Sequence, residues 1–146
     1  MHVERTFTVP RPIEAVFDYL SDFAHTNEWD PGTVSTTRSS GDGGVGTTYA
    51  NTSQFVGREV ELTYETIVHD RPRELKFRGT NKTATATDWM RLRAISAEAT
   101  EIHYRADFAF HGVVKLVAPL VVKPKLSALA DETVEALTQA LLAHAV

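Results

Sequence analysis

The run Phe7-Thr8-Val9-Pro10-Arg11-Pro12-Ile13-Glu14-Ala15-Val16-Phe17-Asp18-Tyr19-Leu20-Ser21-Asp22-Phe23, closed by Trp29-Asp30-Pro31, constrains the fold more than any other stretch of the chain. A strand-like segment halts at two prolines. Apolar residues then recur at i, i+3, i+4 and i+7 as Ile13, Val16, Phe17 and Leu20, one face of a short amphipathic helix. Pro12 suits the first turn of that helix, where a missing N–H costs little. A second short helix ends at Trp29, so a helix pair is inserted directly after the first strand.

The middle of the chain reads as β structure. Over Glu59–Val68 the sequence sets Val60, Leu62, Tyr64 and Val68 on one face and Glu59, Glu61, Thr63 and Glu65 on the other, the period of a strand with one side in water. The same alternation marks Leu75–Arg78, Met90–Ala94 and Ile102–Phe108. Turn chemistry separates these runs at Asp70-Arg71-Pro72-Arg73, Gly79-Thr80-Asn81-Lys82 and Ser96-Ala97-Glu98-Ala99. Short turns between consecutive strands imply an antiparallel meander, about seven strands in all.

From Gly112 the pattern becomes a long helix. Leu126, Leu129, Val134, Leu137 and Leu141 form its stripe, with Asp131, Glu132 and Glu135 opposite. The preceding Val113, Val114, Leu116, Val117, Leu120, Val121 and Val122 are apolar almost all round and broken by Pro119 and Pro124, so this part needs cover on several sides.

The strand, Pro-opened helix, Asp-Phe turn and Trp-x-Pro exit resemble the start of the START-like or helix-grip superfamily (SRPBCC, Bet v 1-like), most closely its polyketide cyclase/dehydrase branch. Leu116-Val117-Ala118-Pro119-Leu120 is similar to the Leu-Ala-Pro-Leu element that precedes the last helix of that branch. The resemblance implies an α+β helix-grip fold over 1–146, a single ligand-binding domain. Its curved antiparallel sheet of about seven strands would carry two short helices after the first strand and a long carboxy-terminal helix over a cavity. It also implies a hydrophobic small-molecule ligand and no cofactor.

Composition narrows the function classes. The chain has 146 residues, 42% of them hydrophobic, enough for one globular core. A net charge of -4 with scattered Lys and Arg lacks the electrostatic footprint of a nucleic-acid binder. With no cysteine there is no disulfide, thiolate metal site or thiol nucleophile. No signal-peptide pattern or run of about 18 apolar residues occurs, so no stable membrane insertion is expected and the cytoplasm is the default location.

Two apparent motifs carry little. Gly41-Asp42-Gly43-Gly44-Val45-Gly46 satisfies G-x-G-x-x-G, but a strand-like run follows where a dinucleotide site needs a helix, so a hairpin loop is expected. His2, His25, His69, His103, His111 and His144 are dispersed without metal-ligand spacing, and no metal is expected. His103 and His111 share parity with Arg105 and Asp107 and read as solvent-facing. No nucleophile elbow is present.

What remains is a binding surface inside the curl of the sheet. By parity with apolar neighbours, Tyr64, Phe77, Met90, Leu92, Tyr104, Phe108 and Phe110 point inward, with Ala106 between Tyr104 and Phe108. Tyr49 and Phe55 share a parity on their own strand. Asp88 has the parity of Met90, which turns it inward, but it also lies near the end of its strand, where a carboxylate stands in water; Trp29 seals the open end. Val117, Leu120 and Val121 are expected to roof the space. Buried Tyr64 and Tyr104 hydroxyls need partners, and an inward Asp88 carboxyl would have a raised pKa, so these three are the acid/base candidates. Three functions share this architecture: carriage of a lipid, polyketide or isoprenoid-like molecule, cyclase or dehydratase chemistry, and protein interaction. The sequence leaves the oligomeric state open.

Overall fold

In the computed structural model, which describes residues 1–55 and 57–144, the first alternating run forms strand β1 (His2–Val9). Pro12 stands immediately before helix α1 (Ile13–Ser21), and its carbonyl accepts the Val16 N–H at 3.0 Å. Val16, Phe17, Tyr19 and Leu20 bury the inner face of α1. A 3₁₀ turn over Phe23–His25, capped by Asp22 Oδ1 accepting the Ala24 N–H at 3.0 Å, leads into the single-turn helix α2 (Thr26–Trp29).

Strands β2 (Thr33–Ser40), β3 (Thr48–Phe55), β4 (Arg58–Asp70), β5 (Glu74–Thr80), β6 (Ala84–Ser96) and β7 (Ala99–Phe110) then run as an antiparallel meander. β1 returns to pair with β7, so the seven-stranded order is β1-β7-β6-β5-β4-β3-β2. Gly41–Gly46 forms the β2–β3 connection. Gly41 has φ +96°, and a Cβ there would lie 2.6 Å from the Thr47 backbone, which is why glycine stands at the tightest point of the loop.

The sheet curls on itself. Phe55 of β3 stacks on Phe108 of β7 at 5.6 Å between ring centroids and on Phe110 at 6.5 Å, although three strands lie between β3 and β7. Strand β4 contributes a break in register between Thr66 and Val68. The extra residue inverts parity, so Val68 pairs with Lys76 and His69 pairs with Leu75. Val68 therefore leaves the Tyr64 face on which alternation had set it. His69 takes the inner place, edge-on to Phe17 at 5.1 Å.

After β7 come helix α3 (Val114–Val122), a 3₁₀ turn over Lys123–Lys125 and helix α4 (Leu126–Ala143), which lies against β1 and α2. This is the helix-grip arrangement. Pro119 sits inside α3 without ending it. The buried stripe of α4 is Leu126, Ala130, Thr133, Leu137, Ala140 and Leu141, while Leu129 and Val134, expected within it, are its half-buried flanks. Two arginines from the amino-terminal region fasten the helix. Arg5 Nε donates to Asp131 Oδ1 at 2.9 Å, and Arg11 Nη2 donates to the Leu142 carbonyl at 2.7 Å, satisfying an otherwise free acceptor of the last turn.

A buried polar chain ties the helix pair to the sheet edge. Asn51 Nδ2 donates to Thr36 Oγ1 at 2.8 Å, and Thr36 Oγ1 lies 2.7 Å from Thr26 Oγ1, which donates to the Phe23 carbonyl at 2.8 Å. The Asn27 side chain meanwhile satisfies both main-chain groups of Thr36, at 2.7 and 3.0 Å. Thr36→Val keeps the shape and removes the central hydroxyl, so it should cost about 1–3 kcal/mol in urea unfolding. A loss below a few tenths would mean that the chain contributes nothing net.

Candidate functional site: an enclosed Asp–Tyr centre

An aromatic layer fills the end of the curl nearest α1. Phe23 of the 3₁₀ turn packs on Tyr64 at 4.4 Å and Phe77 at 4.6 Å between ring centroids, and Trp29 stands edge-on to Tyr104 at 6.1 Å. Beside this layer lies a polar centre. Asp88 occupies the inner face of β6, opposite Phe77 of β5 and Ala106 of β7. The Tyr104 hydroxyl, from β7, donates a hydrogen bond to Asp88 Oδ1. Asp30, at the exit of α2, accepts the Gly32 N–H at 3.0 Å and the Thr33 hydroxyl at 2.9 Å.

Burial dominates the electrostatics. It pushes the Asp88 carboxyl up to about 7, against the hydrogen bond from Tyr104 and with help from the Asp30 charge. Burial also raises Asp30, and it raises the Tyr64 and Tyr104 phenols well above the ordinary range, with Asp88 and Asp30 adding to both. Among the described residues, no basic side chain offsets the rise of either carboxyl. As whole residues Asp88, on the inner face of β6, and Asp30, at the exit of α2, are half-buried. Among the described residues, the buried indole N–H of Trp29 and the buried hydroxyls of Tyr49 and Thr66 find no hydrogen-bond partner.

The residues singled out from the sequence fall into four groups. Tyr49, Phe77 and Met90 have no exposure, and Trp29 and Leu92 are buried beside them, so these five form packed core. Tyr64, Asp88, Tyr104 and Ala106 meet at the polar centre. Phe108 and Phe110 are half-buried and share a rim with Phe55, toward the end from which α3 departs. Val117, Leu120 and Val121, expected to roof the interior, point to solvent, because α3 packs through Val114, Ala118 and Val122 instead.

Two residues of the centre escaped the sequence reading. Asp30 lies between Trp29 and Pro31, and nothing in its neighbours shows that it turns inward. Gly79 reads as a turn residue but pairs within β5, between Tyr64 and Ala86. A Cβ at Gly79 would lie 2.6–2.7 Å from Cζ, Cε1 and Cε2 of Tyr64. The missing side chain therefore lets the Tyr64 ring lie across β5 toward Asp88. Two clefts elsewhere, about 300 Å³ between Arg11, Tyr19, His25 and His144 and about 330 Å³ on the outer sheet face around Arg78, Trp89 and Arg105, do not reach this centre.

Residues 1–142 match the family model described as polyketide cyclase / dehydrase and lipid transport. The chain belongs to this family. No curated protein matches it in sequence. Among solved structures it is similar to the Zhui aromatase/cyclase from Streptomyces sp. R1128, with 20% identity, 97% of this chain and 91% of that chain covered, and a TM-score of 0.73. A START superfamily protein from Mycobacterium smegmatis follows at 16% identity, coverage of 96% and 93%, and a TM-score of 0.69. Norcoclaurine synthase from Thalictrum flavum, in complex with dopamine and hydroxybenzaldehyde, gives 20% identity, coverage of 100% and 88%, and a TM-score of 0.65. At these identities the likeness establishes the START-like fold of this polyketide cyclase/dehydrase-family chain and nothing finer.

Gly79→Ala should destabilise the protein by about 1–3 kcal/mol through overpacking against Tyr64, and should cost far less in a Tyr64→Ala background. Equal costs in both backgrounds would detach Gly79 from the ring. The raised Asp88 carboxyl makes a second expectation. Between its ordinary value of 3.8 and about 7 the folded state holds a proton that the unfolded chain has released, so stability falls as pH rises through that window. Asp88→Asn should flatten this slope in thermal melts taken from pH 4 to 7, and an unchanged slope would assign it to other groups.

Proposed function

We propose that residues 1–146 form one ligand-binding domain for an apolar small molecule of lipid, polyketide or isoprenoid type. The apolar body lies between the curled sheet and the helices, and an oxygenated end meets Asp88 and Tyr104. The observation that carries this reading is a carboxyl and a phenol hydrogen-bonded to each other on the inner face of the curled sheet, the carboxyl on a residue, Asp88, that is itself only half-buried. The unpartnered Trp29 N–H supports it, since a buried donor left free costs about 1–3 kcal/mol unless something accepts from it. The family description, which joins cyclase and dehydrase with lipid transport, also supports it.

A second reading, cyclase or dehydratase chemistry, is favoured by one specific feature. A carboxyl titrating at about 7 both gives and takes a proton near neutral pH, and Tyr104 orients it. In that case Asp88 is the acid/base group, while Tyr104 and Tyr64 polarise a substrate oxygen. Turnover that is lost in Asp88→Asn with ligand affinity retained would place the chain among enzymes.

The binding reading is tested with a neutral solvatochromic dye such as Nile red. One dye per chain should bind, and Ala106→Trp, which adds bulk beside Asp88, should weaken it at least about tenfold, a loss of roughly 1.4 kcal/mol. Near-UV circular dichroism would check that the variant is folded. A folded Ala106→Trp protein with unchanged dye affinity would move the site elsewhere.

A further inference from the structure

Helix α3 presents its largest side chains to water. Val113, just ahead of the helix, is 84% exposed, and Leu116, Val117, Leu120 and Val121 are 74%, 61%, 76% and 41% exposed. Their spacing, i, i+3, i+4, i+7 and i+8, is one continuous stripe. The opposite face of the helix, Val114, Ala118 and Val122, is the one that packs on the protein. The helix is thus apolar on both sides, and its outward side is the richer.

The charges that flank this stripe along the chain have one sign. Lys123 and Lys125 are exposed just past its carboxy-terminal end, Lys115 is exposed elsewhere on the helix, and no acidic residue occurs in the sequence between Asp107 and Asp131, in a chain whose net charge is -4. An apolar stripe flanked along the chain by lysines on an otherwise acidic molecule is complementary to an anionic lipid surface. The aliphatic side chains enter the acyl boundary while the ammonium groups stay at the headgroups. A symmetric contact between two copies would instead bring the lysines that flank both stripes together. Helix α3 also adjoins β7, whose Phe108 and Phe110 form the rim with Phe55.

We propose that the outward face of α3 is a peripheral docking surface for anionic membranes, on which the helix lies in the plane of the interface and holds the Phe55, Phe108 and Phe110 rim against the lipid. This goes beyond ligand binding, since it states where an apolar ligand enters and leaves. It requires no spanning segment, and among the described residues no helix is long and apolar enough to cross a membrane.

Vesicle flotation of the purified full chain tests it. The protein should float with phosphatidylcholine vesicles that contain roughly 30 mol% phosphatidylglycerol and stay behind with phosphatidylcholine alone, and raising the salt severalfold should release it. Leu116→Ser/Leu120→Ser and, separately, Lys123→Glu/Lys125→Glu should each weaken binding at least about tenfold. Both pairs change exposed side chains, so melting temperatures should stay at the wild-type value. If one pair fails to fold, the other still decides.

Wild-type protein that ignores anionic vesicles at low salt would overturn the proposal, as would folded variants that bind like wild type. So would a wild-type dimer that ignores vesicles and becomes a monomer in Leu116→Ser/Leu120→Ser, which would make the stripe a self-interface. Nile red binding reports on the interior independently, so loss of vesicle binding with dye binding intact sinks the docking surface alone.

Discussion

The curl that carries β3 over β7 governs everything inside this fold. A sheet of this width with ordinary twist would leave its inner face as an open wall. Here Phe55 reaches Phe108 and Phe110 across three intervening strands, and breaks in register within the β2–β3, β4–β5 and β6–β7 pairings supply the added bend. The concave space is then divided by side-chain size. Near α1, Phe17, Leu20 and Phe23 descend onto Leu75, Phe77, Met90 and Ile102 and complete a solid core. Farther along, the inner face is floored by Gly79, Ala86 and Ala106, and α3 turns its bulk away. These small residues are themselves buried, and Asp88, half-buried, stands beside Ala106.

That position explains the electrostatics. A carboxylate moved out of water loses hydration worth several kcal/mol, and only a cation or several donors would restore it. Asp88 has a single phenolic donor, Tyr104, and a second carboxyl, Asp30, adds to its rise. At about 7 the carboxyl populates both protonation states near neutral pH, beside a phenol that burial keeps neutral. Such a pair recognises oxygen atoms by hydrogen bonding and tolerates an apolar body around them. Asp30 differs because its Gly32 and Thr33 donors hold the carboxylate in place, so the two acids are not equivalent although both are enclosed.

Much of this was legible in the sequence. Alternation over β4, β6 and β7 identified Tyr64, Met90 and Tyr104 as inward but left Asp88 open between the interior and a strand end in water, and Ile13, Val16, Phe17 and Leu20 fixed α1, because both signals depend only on local period. The failures share one cause: each depends on a non-local partner. The bulge at Ile67 hands the inner position from Val68 to His69, and nothing in a run of β-branched residues announces it. Gly79 resembles a turn until Tyr64 is placed over it from another strand. Asp30 is a polar residue next to a proline until the 3₁₀ turn and α2 aim it inward. For α3 the expected cover on several sides is not met within the chain: Val114, Ala118 and Val122 pack, while Leu116, Val117 and Leu120 face water. Periodicity gives the relative orientation of the two stripes and not which of them faces the sheet.

Carriage and catalysis place different demands on the same centre. A carrier is served by a carboxyl that keeps one protonation state over its working range, since its hydrogen bond must not change with pH. An acid/base catalyst is served by a value near the working pH, where both states are populated. The distance between the two is set by a few neighbours: the donor on Tyr104 pulls Asp88 down, enclosure and the Asp30 charge push it up. Changes at those neighbours alter the chemistry while leaving the curl, the aromatic layer and the arginine fastenings of α4 untouched. A family that spans cyclases, dehydrases and lipid transport on one fold is what this separation allows, because the scaffold sets the enclosure and two or three side chains decide what the enclosed acid does.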